Sequence, residues 1–256
     1  MIRLSVVVPC HNEEEGIPRL LTVLDEVRGS LGRDHEWELV FVDDGSRDRT
    51  WDILQAARPT RPEMRTVRHD VNRGLGAALR TGFQHATGDL VATIDSDCTY
   101  DPREIVTMVR MIREGADVVI ASPYHPNGAV LNVPAYRIFL SKNLSRLYRV
   151  VLGSHLYTYT SLFRLYRAQV LRTIAFEANG FVAMAEILVA ALLGGFRVVE
   201  FPTRLALRDY GESKAAIFRL MRDHVRLLSH LIRHRVRVPS MLEPAKPHPP
   251  GSKAGS

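Results

Sequence analysis

Apolar runs and apolar stripes take turns along the first half of the chain. Residues 4–8 and 39–42 are apolar on both faces and rich in β-branched side chains, the first closed by Pro9 and the second by the sequence DDGS. Runs of this kind predict strands covered on both sides by helices. Between them Ile17, Leu20, Leu21, Leu24 and Val27 recur at helical spacing behind a cluster of acids, which predicts a helix over residues 13–31. The alternation continues with a helix at 50–57, a strand at 64–68, a helix at 74–87 stopped by Gly88, a strand at 90–94, a helix at 102–113 stopped by Gly115, and a strand at 118–121. The pattern predicts an α/β fold: a doubly wound, mainly parallel sheet with helices on both faces.

Beyond residue 122 the rhythm loosens. The turn-rich PYHPNGAVLNVP precedes a helix at 135–152, followed by the aromatic stretch LYTYTSLFRLYR, a helix near 184–193, a strand in FRVVEFP, the loop ALRDYGESK and a basic helix from 215 to about 236. On that helix Phe218, Met221, Val225, Leu228 and Ile232 are expected on one side and the arginines largely elsewhere, a pattern suited to the interface of an anionic bilayer or to packing on the domain. Residues 239–256, rich in proline and small residues, are expected to be disordered. The organisation expected is one domain over 1–238, with a first half at 1–122, a second half at 123–214 and the basic helix at 215–238.

Composition narrows the chemistry. Two cysteines, Cys10 and Cys98, offer neither a disulfide framework nor a zinc pattern, so a reducing, cytoplasmic setting is expected. No stretch reaches the roughly 18 uncharged apolar residues of a membrane span. A net charge of +6 biases the surface toward polyanions: nucleic acid, nucleotide sugars or lipid headgroups. The aromatic signatures of RNA-binding modules are absent, which ranks nucleic acid last. Oligomeric state is not legible.

Three predicted strands end in polar signatures, PCHNEEE, DDGSRDRT and DSDCTYD, and in doubly wound sheets ligands bind beyond such ends. Asp95 and Asp97, two apart directly after a buried strand, can turn toward one hard divalent ion, Mg²⁺ or Mn²⁺. Asp101, before Pro102, suits a helix cap. In VDDGS a carboxylate can serve a base or ribose, or merely shape an Asp-Gly turn with Ser46 or Asp48 capping the next helix. The glycines of NRGLGAAL open a helix either near a phosphate or against a neighbouring loop; the segment follows the third strand and lacks the downstream acid of a dinucleotide fingerprint.

Five segments, SVVVPCHNEEEGI, ELVFVDDGSRDRTWDIL, NRGLGAALRTGFQHATGD, VATIDSDCTYDP and RDYGESK, resemble in order and spacing the inverting family 2 glycosyltransferases of GT-A fold, most closely the dolichol-phosphate mannose synthase branch. The resemblance implies a nucleotide-sugar donor (a GDP- or UDP-hexose), a divalent metal at a D-x-D motif, a polyprenyl-phosphate acceptor and a peripheral place at the cytoplasmic membrane face. It implies that Pro9, His11, Glu13, Val42, Asp44 and Gly76 line the nucleotide sugar, that Asp95, Ser96 and Asp97 hold metal and diphosphate, and that Arg137 and Ser141 hold the acceptor phosphate. It assigns Arg208 and Lys214, with Asp97, to the departing diphosphate. The chain departs from the family pattern at Thr99, Pro123, Thr158 and Leu162, all on the acceptor side. A soluble or saccharide acceptor is the alternative. A hydroxyl acceptor requires a base, for which Glu186 and Asp209 are the candidates.

Overall fold

A computed structural model of the protein describes residues 2–32, 35–206 and 214–234, with side chains left undescribed for 214–219. Among the described residues nine strands and eight α-helices follow one another. The first half contains β1 (Ile2–Cys10), α1 (Gly16–Leu31), β2 (His35–Asp43), α2 (Thr50–Ala57), β3 (Met64–Arg68), α3 (Leu75–His85), β4 (Leu90–Thr93), α4 (Ile105–Arg113) and β5 (Val118–Ser122). The second half adds β6 (Ala129–Leu131), α5 (Ala135–Leu152), β7 (Arg164–Arg167), α6 (Ala168–Thr173), α7 (Ala183–Leu193), β8 (Val198–Pro202), β9 (Arg204–Ala206) and α8 (Lys214–Arg233).

The main sheet has the order β3-β2-β1-β4-β7-β5-β8. All its pairings are parallel except those of β7, which runs antiparallel between β4 and β5 and pairs Thr93 with Arg164. Strands from both sides of residue 122 therefore share one sheet. The two-faced apolar runs are explained by two cores. Val6, Val8, Leu39 and Phe41 pack with α1 and α4 on one face, while Val7, Val40 and Val42 pack with α3, α5, α7 and α8 on the other. Gly82 lets α3 lie directly on β1, since a Cβ there would overlap the Val7 side chain.

Strand order reverses between β1 and β4. A crevice must open at such a point, because the connections leaving the two strands diverge to opposite sides. Asp95 follows the end of β4 there, with the loop after β1 beside it.

The aromatic stretch holds β7, which hydropathy did not indicate. Its Arg164 is fully buried, donating to the carbonyls of Met184 at 2.7 Å and Tyr159 at 2.8 Å. The expected one-sided apolar face of α8 divides: Leu228 is buried together with His224 and Leu231, whereas Val225 and Ile232 are 55% and 61% exposed. Phe218 belongs to the undescribed side chains, and the expected tail at 239–256 lies outside the described residues.

Candidate active site

The loops after β1 and β2 are hydrogen-bonded to each other reciprocally. The Asn12 N–H donates to the Ser46 hydroxyl oxygen at 2.9 Å, and the Asn12 side-chain oxygen accepts the Arg47 N–H at 2.9 Å. The Glu13 N–H donates to Thr50 Oγ1, the Glu14 N–H to Asp48, and the Arg49 N–H back to Glu14. Asn12 sits at φ 57°, a left-handed conformation that asparagine tolerates better than most residues. Polar residues crowd these loops because each pins a main-chain group of the other.

Asp44 belongs to this scaffold. Its carboxylate is buried and accepts from His69 Nδ1 at 2.7 Å, the Arg73 N–H at 2.9 Å and the Gly74 N–H at 2.7 Å, so it fastens the 69–74 loop to the end of β2. Its main-chain oxygen lies 3.0 Å from His11 Nδ1. Val42 is fully buried. Of the expected nucleotide residues only His11 and Glu13 present side chains outward, and Pro9, Val42 and Asp44 shape the crevice from behind.

Gly76 is accounted for by packing. Its N–H donates to Asn179 O at 2.7 Å, and a Cβ would overlap Ala178 O. The 176–180 loop seated there is held from its other side by Glu186, whose two oxygens accept the N–H groups of Glu177 at 3.1 Å and Ala178 at 2.8 Å.

At the end of β4 the polar groups are not all satisfied. Asp95 Oδ2 is sealed from solvent with no hydrogen-bond partner, and so is Thr99 Oγ1. Burial, then the nearby charges of Asp97 and Glu13, push the Asp95 carboxyl up to about 8. Asp97 accepts the Thr99 N–H at 2.8 Å, Ser96 is buried, and Cys98 turns the chain at φ 57°. Gly16 permits the approach of the β1 loop: a Cβ there would lie 2.9 Å from Ser96 O and 3.0 Å from Glu13 Oε2. Three carboxylates thus converge where like charges disfavour ionisation, an arrangement that a divalent cation relieves. Among the described residues no group of three or more such ligands stands ready to hold an ion, and the unpartnered Asp95 oxygen beside Asp97 is a hard oxygen donor set that would suit Mg²⁺ or Mn²⁺. Asp101 lies outside this group, capping the next turn by accepting the Arg103 N–H.

On the acceptor side Arg137 and Ser141 stand one turn apart on α5, and the Tyr124 phenol turns toward the Ser141 hydroxyl. The Thr158 hydroxyl lies 2.7 Å from that of Ser122, while Glu200, its carboxyl raised chiefly by burial, accepts the N–H groups of Tyr157 and Thr158. Arg208 and Asp209 lie outside the described residues, as does the side chain of Lys214. The described chain before them ends with the Ala206 N–H donating to Thr99 O, beside the Asp97 turn.

The profile of Glycosyl transferase family 2 matches residues 5–175. The chain belongs to that family. A dolichol-phosphate mannosyltransferase of Pyrococcus furiosus is 32% identical over 232 residues, covering 89% of this chain and 64% of that protein. An undecaprenyl-phosphate 4-deoxy-4-formamido-L-arabinose transferase of Klebsiella pneumoniae is 31% identical over 222 residues, covering 86% and 64%. The chain therefore spans a little under two thirds of these relatives' lengths. Solved structures show the same fold at low identity. Glucosyl-3-phosphoglycerate synthase of Mycobacterium tuberculosis, in complex with Mn²⁺, UDP-glucose and phosphoglyceric acid, gives a TM-score of 0.68 at 20% identity over 94% of this chain and 82% of that one. A mannosyltransferase of Pyrobaculum calidifontis, in complex with GDP-Man and Mn²⁺, gives 0.65 at 20% over 93% and 66%. The family 2 chain thus has the GT-A fold.

Tyr124 and Lys142 lie inside segments that resemble the family's, ASPY and AYRIFLSKN, but the resemblance gave neither a role; His69 had one signal, a polar residue directly after a predicted strand, and Glu200 had none.

Proposed function

We propose that this family 2 glycosyltransferase moves a hexose from a GDP- or UDP-sugar to a polyprenyl phosphate with inversion, using Mg²⁺ or Mn²⁺ held by Asp95 and Asp97. The observation that carries the reading is the buried, unpartnered Asp95 oxygen beside Asp97 and Glu13 at the reversal of strand order. The ion, when bound, neutralises charge that develops on the departing nucleoside diphosphate. Ser96, buried between the two aspartates, fixes their spacing. His11 and Glu13 face the nucleotide, and the hydrogen-bonded loops behind them hold that surface without reorganisation. Arg208 and Lys214 are assigned to the leaving diphosphate, a role suited to a guanidinium fork and a compact ammonium.

Arg137 and Ser141 would orient the acceptor. A phosphate monoester is already largely a dianion near pH 7 and needs no strong base, so its capture in line supplies most of the advantage. That both oxygens of Glu186 are engaged by main-chain N–H groups supports this choice over a hydroxyl acceptor, which would require a free carboxylate.

Helix α5 supports a place at the membrane surface. At about 100° per residue, Tyr136, Phe139, Leu147 and Val150 fall within an arc of about 80°, and all four are at least 51% exposed. Arg137, Ser141, Leu144, Tyr148 and Leu152 occupy the opposite side, the last three buried. An acceptor phosphate on one side and lipid on the other would be a consistent use of one helix. Among the described residues no helix is long and apolar enough to cross a membrane. Co-sedimentation with anionic but not neutral liposomes is expected; equal partition into both would remove the membrane reading.

The test of the activity is incubation with a panel of GDP- and UDP-sugars and Mn²⁺, with and without a short polyprenyl phosphate, following nucleoside diphosphate release. Release stimulated by the lipid phosphate supports the reading. Stimulation only by a soluble saccharide or phosphorylated acid would replace it with the alternative acceptor, and absence of release in every arm would overturn it.

A further inference from the structure

Two basic residues of α5 lie over tyrosine rings, and they differ in what answers their charge. Arg149 stacks on Tyr157 at 5.2 Å and lies close enough to Glu200 to offset part of the rise that burial imposes on that carboxyl. Lys142 lies over Tyr124, its Nζ 5.9 Å from the ring centre, and among the described residues no carboxylate pairs with it. The tyrosine is well placed to aim it. Tyr124 is half-buried at the turn after β5 and directs its hydroxyl toward Ser141, so ring, hydroxyl and ammonium meet at adjacent positions of the helix. Arg137 stands one turn before Ser141, and the turn that delivers Tyr124 brings no cation of its own, being Ser122-Pro123-Tyr124. An ammonium held by a ring face keeps its N–H groups available to an anion, because the ring engages the charge and not the donors in a fixed fork.

We propose that Lys142 is a direct ligand of the acceptor's phosphate, held in place by Tyr124, and that with Arg137 and Ser141 it sets the preference for a doubly charged phosphate monoester. The inference rests on the acceptor reading above. It concerns one residue for which the resemblance gave no role.

The test uses the full chain, the preferred nucleotide sugar and a short, water-soluble polyprenyl phosphate, comparing Lys142→Met, Lys142→Arg and Arg149→Met. Lys142→Met is expected to raise the acceptor KM about tenfold, the loss of one charge-assisted contact, with donor KM and kcat within about twofold. Lys142→Arg should recover most of the loss, since it keeps charge and ring contact. Arg149→Met removes a similar ring contact, so an unchanged acceptor KM there separates phosphate binding from helix packing. A Lys142→Met enzyme with unaltered acceptor KM, or a loss confined to kcat that arginine fails to recover, overturns the proposal while transfer by the unaltered chain leaves the acceptor reading standing. If the unaltered chain turns over the nucleotide sugar but neither glycosylates nor binds the prenyl phosphate in a direct titration, the acceptor reading falls and the role of Lys142 with it.

Discussion

The loops after β1 and β2 and the helix α5 treat their polar and apolar groups in opposite ways. In the loops Ser46, Thr50, Asp48 and Glu14 each accept a main-chain N–H of the neighbouring loop, and Asp44 by itself engages three donors. On α5 four large apolar side chains face outward, and Lys142 has no carboxylate partner among the described residues. The first region is finished before a ligand arrives, as transition-state stabilisation requires of groups that must not reorganise. The second is unfinished, as expected of a surface whose partner is large, mobile and partly apolar. The Asp95 turn sits where the two regimes meet, a rigid setting in which Asp95 Oδ2 and Thr99 Oγ1 are left without partners.

If this contrast is right, the largest effect belongs to that turn. Asp95→Asn and Asp97→Asn are each expected to lower nucleoside diphosphate release on the order of 10³-fold, about 4 kcal/mol of transition-state stabilisation, with thermal unfolding nearly unchanged, because the sealed Asp95 oxygen has no hydrogen bond to lose and an amide oxygen at 97 can still accept the Thr99 N–H. Activity measured beside a melting curve checks both halves, and a variant within tenfold of the parent would break the assignment. Asp44→Ala should do the reverse. Leaving His69 and two buried N–H groups without their acceptor should cost about 3 kcal/mol of stability, read as a shift in the urea midpoint; a loss of activity with stability intact would mean that Asp44 touches the donor directly.

The next effect is pH-dependent. His224, buried on α8 with Nδ1 2.9 Å from the Tyr148 hydroxyl, has its pKa lowered by burial to about 4, partly countered by Asp223. Because protonation is easier in the unfolded chain, whose histidine titrates near 6.5, this residue's contribution is complete above about pH 6.5 and is lost as the pH falls toward 4. The loss is about 3 kcal/mol. Urea midpoints between pH 4 and 7 should converge for the parent and His224→Gln at the acid end, and parallel curves would refute the assignment. The smallest effect is expected at the outer face of α5. Phe139→Ser combined with Val150→Ser should weaken binding to anionic vesicles roughly tenfold while leaving the unfolding midpoint in place, since both side chains already face solvent.

How far the sequence could be read follows the same division. Runs such as residues 4–8 were legible because a parallel strand covered on both faces has no polar side to disguise it. The crowded aspartates after β4 were legible because a strand ending in acids is unusual unless something answers the charge. What could not be read depends on partners far along the chain. The three donors of Asp44 come from residues 69–74, and nothing in VDDGS says that its second carboxylate is already occupied. Strand β7, RLYR, hides behind two arginines, and Arg164 can be interior only because the carbonyls of Tyr159 and Met184 receive it. On α8 the expected apolar side shares Leu228 with the buried one but not Val225 or Ile232, because the buried side is completed by Leu231 and by His224, a polar residue that the Tyr148 hydroxyl receives.

Strand β7 also has a temporal consequence. During synthesis β4 and β5 emerge more than forty residues before the segment that joins them, so until it arrives the nascent chain carries two open strand edges in the middle of its future sheet. Closing that gap draws on contacts distant in sequence, which slows folding. A fragment cut after residue 122 would retain the turn of Asp95 and Asp97 yet expose both edges to self-association.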